Sequence, residues 1–251
     1  MMRLRQRGPD RVFDRTGDVA SPSWRDRLAD TGDLLRQLSR PGGPQRVLDL
    51  PRGDGHPVLV IPGLFGSDYM LRHFRAQLGD IGYRPEGWGA GLHLVPTPAA
   101  WRTVEQRLIA VSEQSGHKVS LVGHSLGGVL SRALAYEHPE RIRRVITVCS
   151  PFSLPTASPI APLYSMLRHR CDVEFLLARL AEPPPVPTTA IYSPRDGVVA
   201  WSSCIDPPSR GRDCVAIDGA HTTMLSHPDA IRVIAERLAR RPRSRATVAR
   251  R

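Results

Sequence analysis

The sequence predicts an α/β protein: a mostly parallel, doubly wound sheet with helices on both faces and a short lid or cap insert. Three observations predict it. Short apolar runs of strand type alternate with helix-length stretches through most of the chain. The run His56-Pro57-Val58-Leu59-Val60-Ile61-Pro62 is continuously apolar, as in a strand buried on both faces. The run Val119–Val122 breaks off into Gly123-His124-Ser125-Leu126-Gly127, a tight turn leading from a strand into a helix. With 251 residues, 41% of them hydrophobic and 24% charged, the chain has the material for one good-sized domain.

The elements follow in order. Residues 1–20 carry little apolar material and are expected to be disordered. Trp24, Leu28, Leu34, Leu35 and Leu38 recur at helical spacing until Pro41-Gly42-Gly43-Pro44, which predicts a helix on the outside of the domain. After the first core strand comes the loop Gly63-Leu64-Phe65-Gly66-Ser67-Asp68, then a helix over Tyr69–Leu78 closed by Gly79 and Gly82. Leu92–Val95 reads as a second strand. Trp101–Ser115 reads as a helix with Val104, Leu108, Ile109 and Val111 turned inward. Val119–Val122 is the third strand, Leu126–His138 its helix, and Ile142–Cys149 the fourth strand. Residues 150–186 break the alternation, with prolines at both ends and a helical middle, and are expected to form the insert. Strands then return at Thr188–Ser193 and Cys214–Ile217, before a last amphipathic helix at Pro228–Leu238. The expected organisation is an N-terminal segment with an outer helix (1–45), one α/β domain (46–240) and a basic tail (241–251).

The net charge is +11, and Lys118 is the only lysine among 35 basic residues. Much of the excess lies near the two ends, from Arg3 to Arg15 and from Arg237 to Arg251. Such ends suit nucleic acid or an anionic membrane surface. No aromatic residues interleave with these arginines to stack on bases, so solvated ends are the plainer reading and nucleic acid is disfavoured. No apolar stretch is long enough for a signal peptide or a membrane span, so a cytoplasmic location is expected. Cys149, Cys171, Cys204 and Cys214 lack zinc-type spacing, and no metal is expected. A cytoplasmic setting favours free thiols, with a Cys204–Cys214 pair left open.

The strand–turn–helix at Ser125 has the form of a nucleophile elbow, G-x-S-x-G. The serine stands at the apex of a strained turn, and Gly123 and Gly127 keep side chains out of the crowded backbone. A helix N-terminus behind it favours negative charge. A serine hydroxyl needs a base. His221, between the last strand and the last helix, is the first choice; His227 is the competitor, and His124 reads as a hydrogen-bonding neighbour. The base needs an orienting carboxylate. Asp196 sits directly after the strand Thr188–Ser193, whereas Asp206, Asp213 and Asp218 lie off strand ends. An oxyanion hole needs two backbone N–H groups. One is that of Leu126, directly after the serine. The other falls in the loop after the first core strand, with Leu64 first and Phe65 second.

These residues together resemble the α/β-hydrolase superfamily, in its bacterial lipase and esterase branch, over roughly residues 57–240. The resemblance rests on Val58 through Ser67, on Gly123-His124-Ser125-Leu126-Gly127-Gly128, on Ser193-Pro194-Arg195-Asp196-Gly197-Val198-Val199 and on Gly219-Ala220-His221; the stretches Gly82-Tyr83 and Gly87-Trp88-Gly89 also look like that branch. It implies the α/β-hydrolase fold and hydrolysis of a small-molecule or lipid ester through an acyl-serine intermediate, with no cofactor. Two departures stand out. Pro62 occupies the place where many lipases carry histidine, and no signal peptide is visible, which counts against an extracellular lipase. In the insert, Tyr164, Met166 and Leu167, with Phe65 from the oxyanion loop, are candidates to line an acyl pocket. An acyltransferase using the same triad, or a non-catalytic binding protein on this fold, is the alternative.

Overall fold

The computed structural model describes residues 21–39, 47–94, 98–153, 183–206 and 213–241. Six strands form one fully parallel sheet in the order β2-β1-β3-β4-β5-β6. They are β1 (Pro57–Ile61), β2 (Arg84–Gly87), β3 (Val119–His124), β4 (Ile142–Val148), β5 (Thr188–Tyr192) and β6 (Asp213–Ala216). The helices are α1 (Trp24–Leu38), α2 (Arg72–Asp80), α3 (Pro98–Ser115), α4 (Leu126–Glu137) and α5 (Pro228–Ala239).

Period-two side-chain alternation explains why the central strands carry no polar face. In β1, Val58 and Val60 point into one core with Phe74 and Leu78 of α2 and Ile231, Ile234 and Leu238 of α5. Leu59 and Ile61 point into the other, with Val104, Leu108 and Val111 of α3 and Leu130 and Leu134 of α4. Both faces of the sheet are therefore covered, and β1 is buried along its whole length. Ile109, expected inward, is only partly buried.

The second strand lies at Arg84–Gly87, not at Leu92–Val95. Its sequence, Arg-Pro-Glu-Gly, has no apolar run because β2 is the sheet edge, where proline and exposed side chains are tolerated. Leu92 and Leu94 are exposed instead, with His93 buried between them.

Helix α1 matches its expected span, capped by Ser23, whose hydroxyl accepts the N–H of Asp26 at 3.2 Å. Its apolar periodicity does not face the domain, however. Trp24, Leu28 and Leu35 are exposed, and among its described side chains the buried one is Asp30. Cys149 and Cys204 are free thiols, and the Cys204–Cys214 disulfide is not formed. Most of the expected insert, the Tyr164, Met166 and Leu167 pocket candidates, Cys171 and the arginines of residues 3–15 and 243–251 fall outside the described residues. No helix among the described residues is long and apolar enough to cross a membrane.

Candidate active site

Chain order alternates strands and turns so that the triad and oxyanion candidates emerge at the C-terminal edge of the sheet. Ser125 follows β3, Asp196 lies in the turn after β5, His221 in the turn after β6, and Leu64 in the loop after β1. In a doubly wound parallel sheet, this edge is where ligands bind.

Ser125 has φ 51° and ψ −121°, a left-handed conformation that side chains rarely adopt, and it is the N-cap of α4. Its N–H bonds to the carbonyl of Val148 at 2.8 Å, which ties the turn to β4. The flanking glycines are needed on steric grounds. A Cβ on Gly123 would collide with the backbone of Gly127, and one on Gly127 with the carbonyl of Ile61 in β1. The loop after β1 also comes close: a Cβ on Gly63 would lie 2.9 Å from Cβ of Ser125.

His221 Nδ1 donates to Asp196 Oδ2 at 2.8 Å, with both residues buried. The other carboxylate oxygen accepts the N–H groups of Val198 at 2.9 Å and Val199 at 2.8 Å. Burial alone would raise the Asp196 pKa. The His221 charge and these hydrogen bonds outweigh it and hold the carboxyl below its ordinary value. Burial alone would lower the His221 pKa, and the attraction of Asp196 turns the shift upward. An ionised carboxylate only accepts, so the proton between them sits on Nδ1 and leaves Nε2 unprotonated in the neutral ring. Among the described residues Ser125 Oγ has no hydrogen bond to His221 or any other group. The serine reaches the histidine through its neighbour: His124 Nε2 donates to the carbonyl of His221 at 2.9 Å, and the two rings are 5.0 Å apart.

The competing candidates are occupied elsewhere. His227 caps α5, its Nδ1 accepting the N–H of Asp229 at 3.2 Å. The pKa of His124 is pushed down to about 4 by burial and by the neighbouring His221. Asp206 holds Arg132 through two 2.9 Å bonds, Asp213 holds Arg237, and Asp218 faces Arg195. The Phe65 N–H donates to the carbonyl of His93 at 2.6 Å. The Phe65 side chain is 57% exposed, with φ 59°.

Three residues near the site escaped sequence reasoning. His93 braces the loop after β1: besides accepting from Phe65, its N–H donates to the Gly66 carbonyl at 2.8 Å and its Nδ1 to the carbonyl of Pro62 at 2.8 Å. Its ring also packs on Trp88 at 4.5 Å. A histidine inside an apolar run was the only sequence signal. Cys149, with φ 49°, places its thiol beside the Asp–His pair; donor atoms of Cys149, Asp196 and His221 all lie within 4.8 Å of one another. These three are the described residues best placed to hold a metal ion. Burial pushes the Cys149 thiol up, however, so it stays protonated, and a thiolate is the ligand form. Asp30 of α1 is the third, and its carboxylate receives the backbone N–H of His221 at 2.6 Å.

A family model described as alpha/beta hydrolase fold matches residues 111–170, which include the elbow. Among solved structures, a monoacylglycerol lipase from Paleococcus ferrophilus aligns with TM-score 0.55 at 15% identity, over 75% of this chain and 95% of that one. Bacillus licheniformis lipase BlEst2 in its mature form aligns with TM-score 0.56 at 17% identity, over 78% and 96%. Aspergillus fumigatus lipase B aligns with TM-score 0.59 at 18% identity, over 79% of this chain and 56% of that one. No curated protein matches the sequence.

Proposed function

The chain has the α/β-hydrolase fold, and on it we propose a serine hydrolase that cleaves carboxylic esters through an acyl-serine intermediate. The observation that carries this reading is the buried Asp196–His221 bond, at 2.8 Å, at the sheet edge where Ser125 heads α4. The lipases among the structural neighbours support the ester as substrate class.

In this reading, Nε2 of neutral His221 takes the proton of Ser125 Oγ as the oxygen attacks the ester carbonyl. Asp196 fixes the ring through Nδ1–H and stabilises the imidazolium that forms. The N–H groups of Leu126 and Leu64 receive the oxyanion. Leu126 is the first residue of α4, so its N–H has no partner within the helix and the helix dipole adds to it. With the Phe65 N–H engaged by His93, Leu64 is the one of the two sequence candidates whose N–H is left for the oxyanion. The intermediate collapses to acyl-Ser125 as imidazolium protonates the departing alcohol. Water, deprotonated by His221, then releases the acid. No step requires a cofactor.

The test is hydrolysis of p-nitrophenyl esters from acetate to palmitate by the purified chain, with Ser125→Ala alongside. The reading expects turnover that disappears in Ser125→Ala, and a phosphonate adduct on Ser125 detected by mass spectrometry. Full turnover by Ser125→Ala refutes it.

A further inference from the structure

Helix α1 precedes the whole sheet, yet a buried polar side chain on it, that of Asp30, lies at the candidate site. Asp30 is 3% exposed, and its two oxygens receive four hydrogen bonds. Oδ2 takes the N–H of His221 at 2.6 Å and that of Gly197 at 3.3 Å. Oδ1 takes the N–H of Thr222 at 3.1 Å and its hydroxyl at 2.6 Å. Gly197 is the residue after Asp196, so one carboxylate holds the acid turn after β5 and the histidine turn after β6 together. The packing is close enough that a Cβ on Gly197 would collide with the Asp26 carbonyl of α1.

We propose that Asp30 is a positioning residue for the ester hydrolysis described above: as a four-bond acceptor on α1 it sets the backbone of His221 in register with Asp196, so the N-terminal helix is part of the catalytic unit. The inference rests on that functional reading. The chemistry of the donors supports it. All four are N–H or O–H groups, and a carboxylate is the side chain that only accepts. An amide in its place would turn an NH₂ group toward at least one backbone N–H. The two turns have no strand pairing at these residues; Asp30 adds a backbone cross-link to the one made by the Ser193 hydroxyl, which donates to the Gly219 carbonyl at 2.6 Å. Displacing a catalytic group by about 1 Å costs on the order of 10²-fold in rate, which sets the scale of the effect.

Asp30 also bears on the charge at His221. The charged or titratable groups facing that ring are Asp196, Asp30, His124 and the Cys149 thiol. Asp30 is one of the negative charges favouring imidazolium, so its removal shifts the acid limb of the pH–rate profile to lower pH.

The experiment measures kcat, KM, the pH profile of kcat/KM and thermal stability for full-length wild type, Asp30→Asn and Ser125→Ala on p-nitrophenyl butyrate. The expected result for Asp30→Asn is a kcat lower by about 10- to 100-fold, a KM near that of wild type, and an acid limb moved to lower pH. Wild-type kcat with an unmoved limb overturns the inference while Ser125→Ala, inactive, leaves the functional reading standing. A fall in kcat that only follows lost folded protein, with the limb in place, also overturns it. Turnover by Ser125→Ala refutes the functional reading instead. If Asp30→Asn does not fold, Thr222→Val decides: it deletes one hydroxyl bond to Oδ1, and kcat should fall by up to about tenfold. An unchanged kcat in that variant overturns the proposal.

Discussion

His124 and His221 are joined by a hydrogen bond that runs from a side chain to a backbone: Nε2 of His124 donates to the His221 carbonyl at 2.9 Å. The residue before Ser125 thus holds the loop that carries His221, the base in the proposed mechanism. Because burial and His221 push its pKa down to about 4, His124 stays neutral at working pH and acts as a fixed donor.

His124→Phe keeps a ring of similar size against His221 but deletes the donor. The His221 carbonyl is then left with only the long 3.5 Å bond from the Met224 N–H, a loss of about 1–3 kcal/mol. The expected result is lower stability in urea denaturation and reduced kcat, with the acid limb of the pH–rate profile still present. Loss of that limb would mean that His124, not His221, titrates as the base.

The pH dependence follows from the two opposed shifts. Ester hydrolysis needs neutral His221, whose folded pKa is raised, so kcat/KM should fall with acid through a midpoint above the usual histidine value near 6.5. For stability the sign is reversed. His221 contributes fully below its unfolded pKa, and that contribution is lost as pH rises through the folded one. Asp196, with a lowered pKa, contributes above the ordinary carboxylate range and loses it as pH falls through its folded value. Asp196→Asn removes the charge and lets the ring take the wrong tautomer. Activity should drop on the order of 10⁴-fold, with any residual acid limb moved to lower pH, as measured in steady-state profiles.

Much of this arrangement was legible in the sequence, for a physical reason. Buried strands read as short runs rich in apolar and β-branched residues, and the turns leaving their C-terminal ends are short, so Ser125, Asp196 and His221 could be placed by counting from β3, β5 and the half-buried edge strand β6. The edge strand was missed because Arg84–Gly87 buries little and has no pattern to see, whereas Leu92 and Leu94 imitate a strand while framing His93. Asp30 was invisible for another reason. An aspartate on an amphipathic helix reads as a solvated residue, and its partner His221 lies 191 positions away in the chain.

Arg132 of the elbow helix is fully buried and bonds Asp206 through both carboxylate oxygens at 2.9 Å, with its guanidinium 3.8 Å above the Phe152 ring. Removing one partner of such a pair leaves a buried charge without its main counterion. Asp206→Asn should cost about 3–5 kcal/mol in chemical denaturation. The double change Arg132→Met with Asp206→Leu should recover most of that loss, since well-packed apolar groups often replace a buried pair without net cost. Equal losses in the single and double variants would contradict this account.

Ser125 is the one site residue whose chemistry and stability should pull in opposite directions. Its φ of 51° with ψ of −121° holds a side-chain-bearing residue where glycine is favoured, and such strain costs on the order of 1–3 kcal/mol. The turn tolerates it because Ser125 N–H is tied to Val148 and Gly127 packs directly on β1, leaving the backbone no room to relax. Ser125→Gly should therefore be inactive yet at least as stable as wild type, since relief of the left-handed strain offsets the chain entropy that glycine adds, up to about 1 kcal/mol. Gly127→Ala should behave in the opposite way. Its Cβ meets the Ile61 carbonyl, so the elbow or β1 must shift, and both stability and turnover should fall together. Paired melting curves and ester assays on the two variants check this: a Ser125→Gly protein markedly less stable than wild type would show that the elbow is not strained.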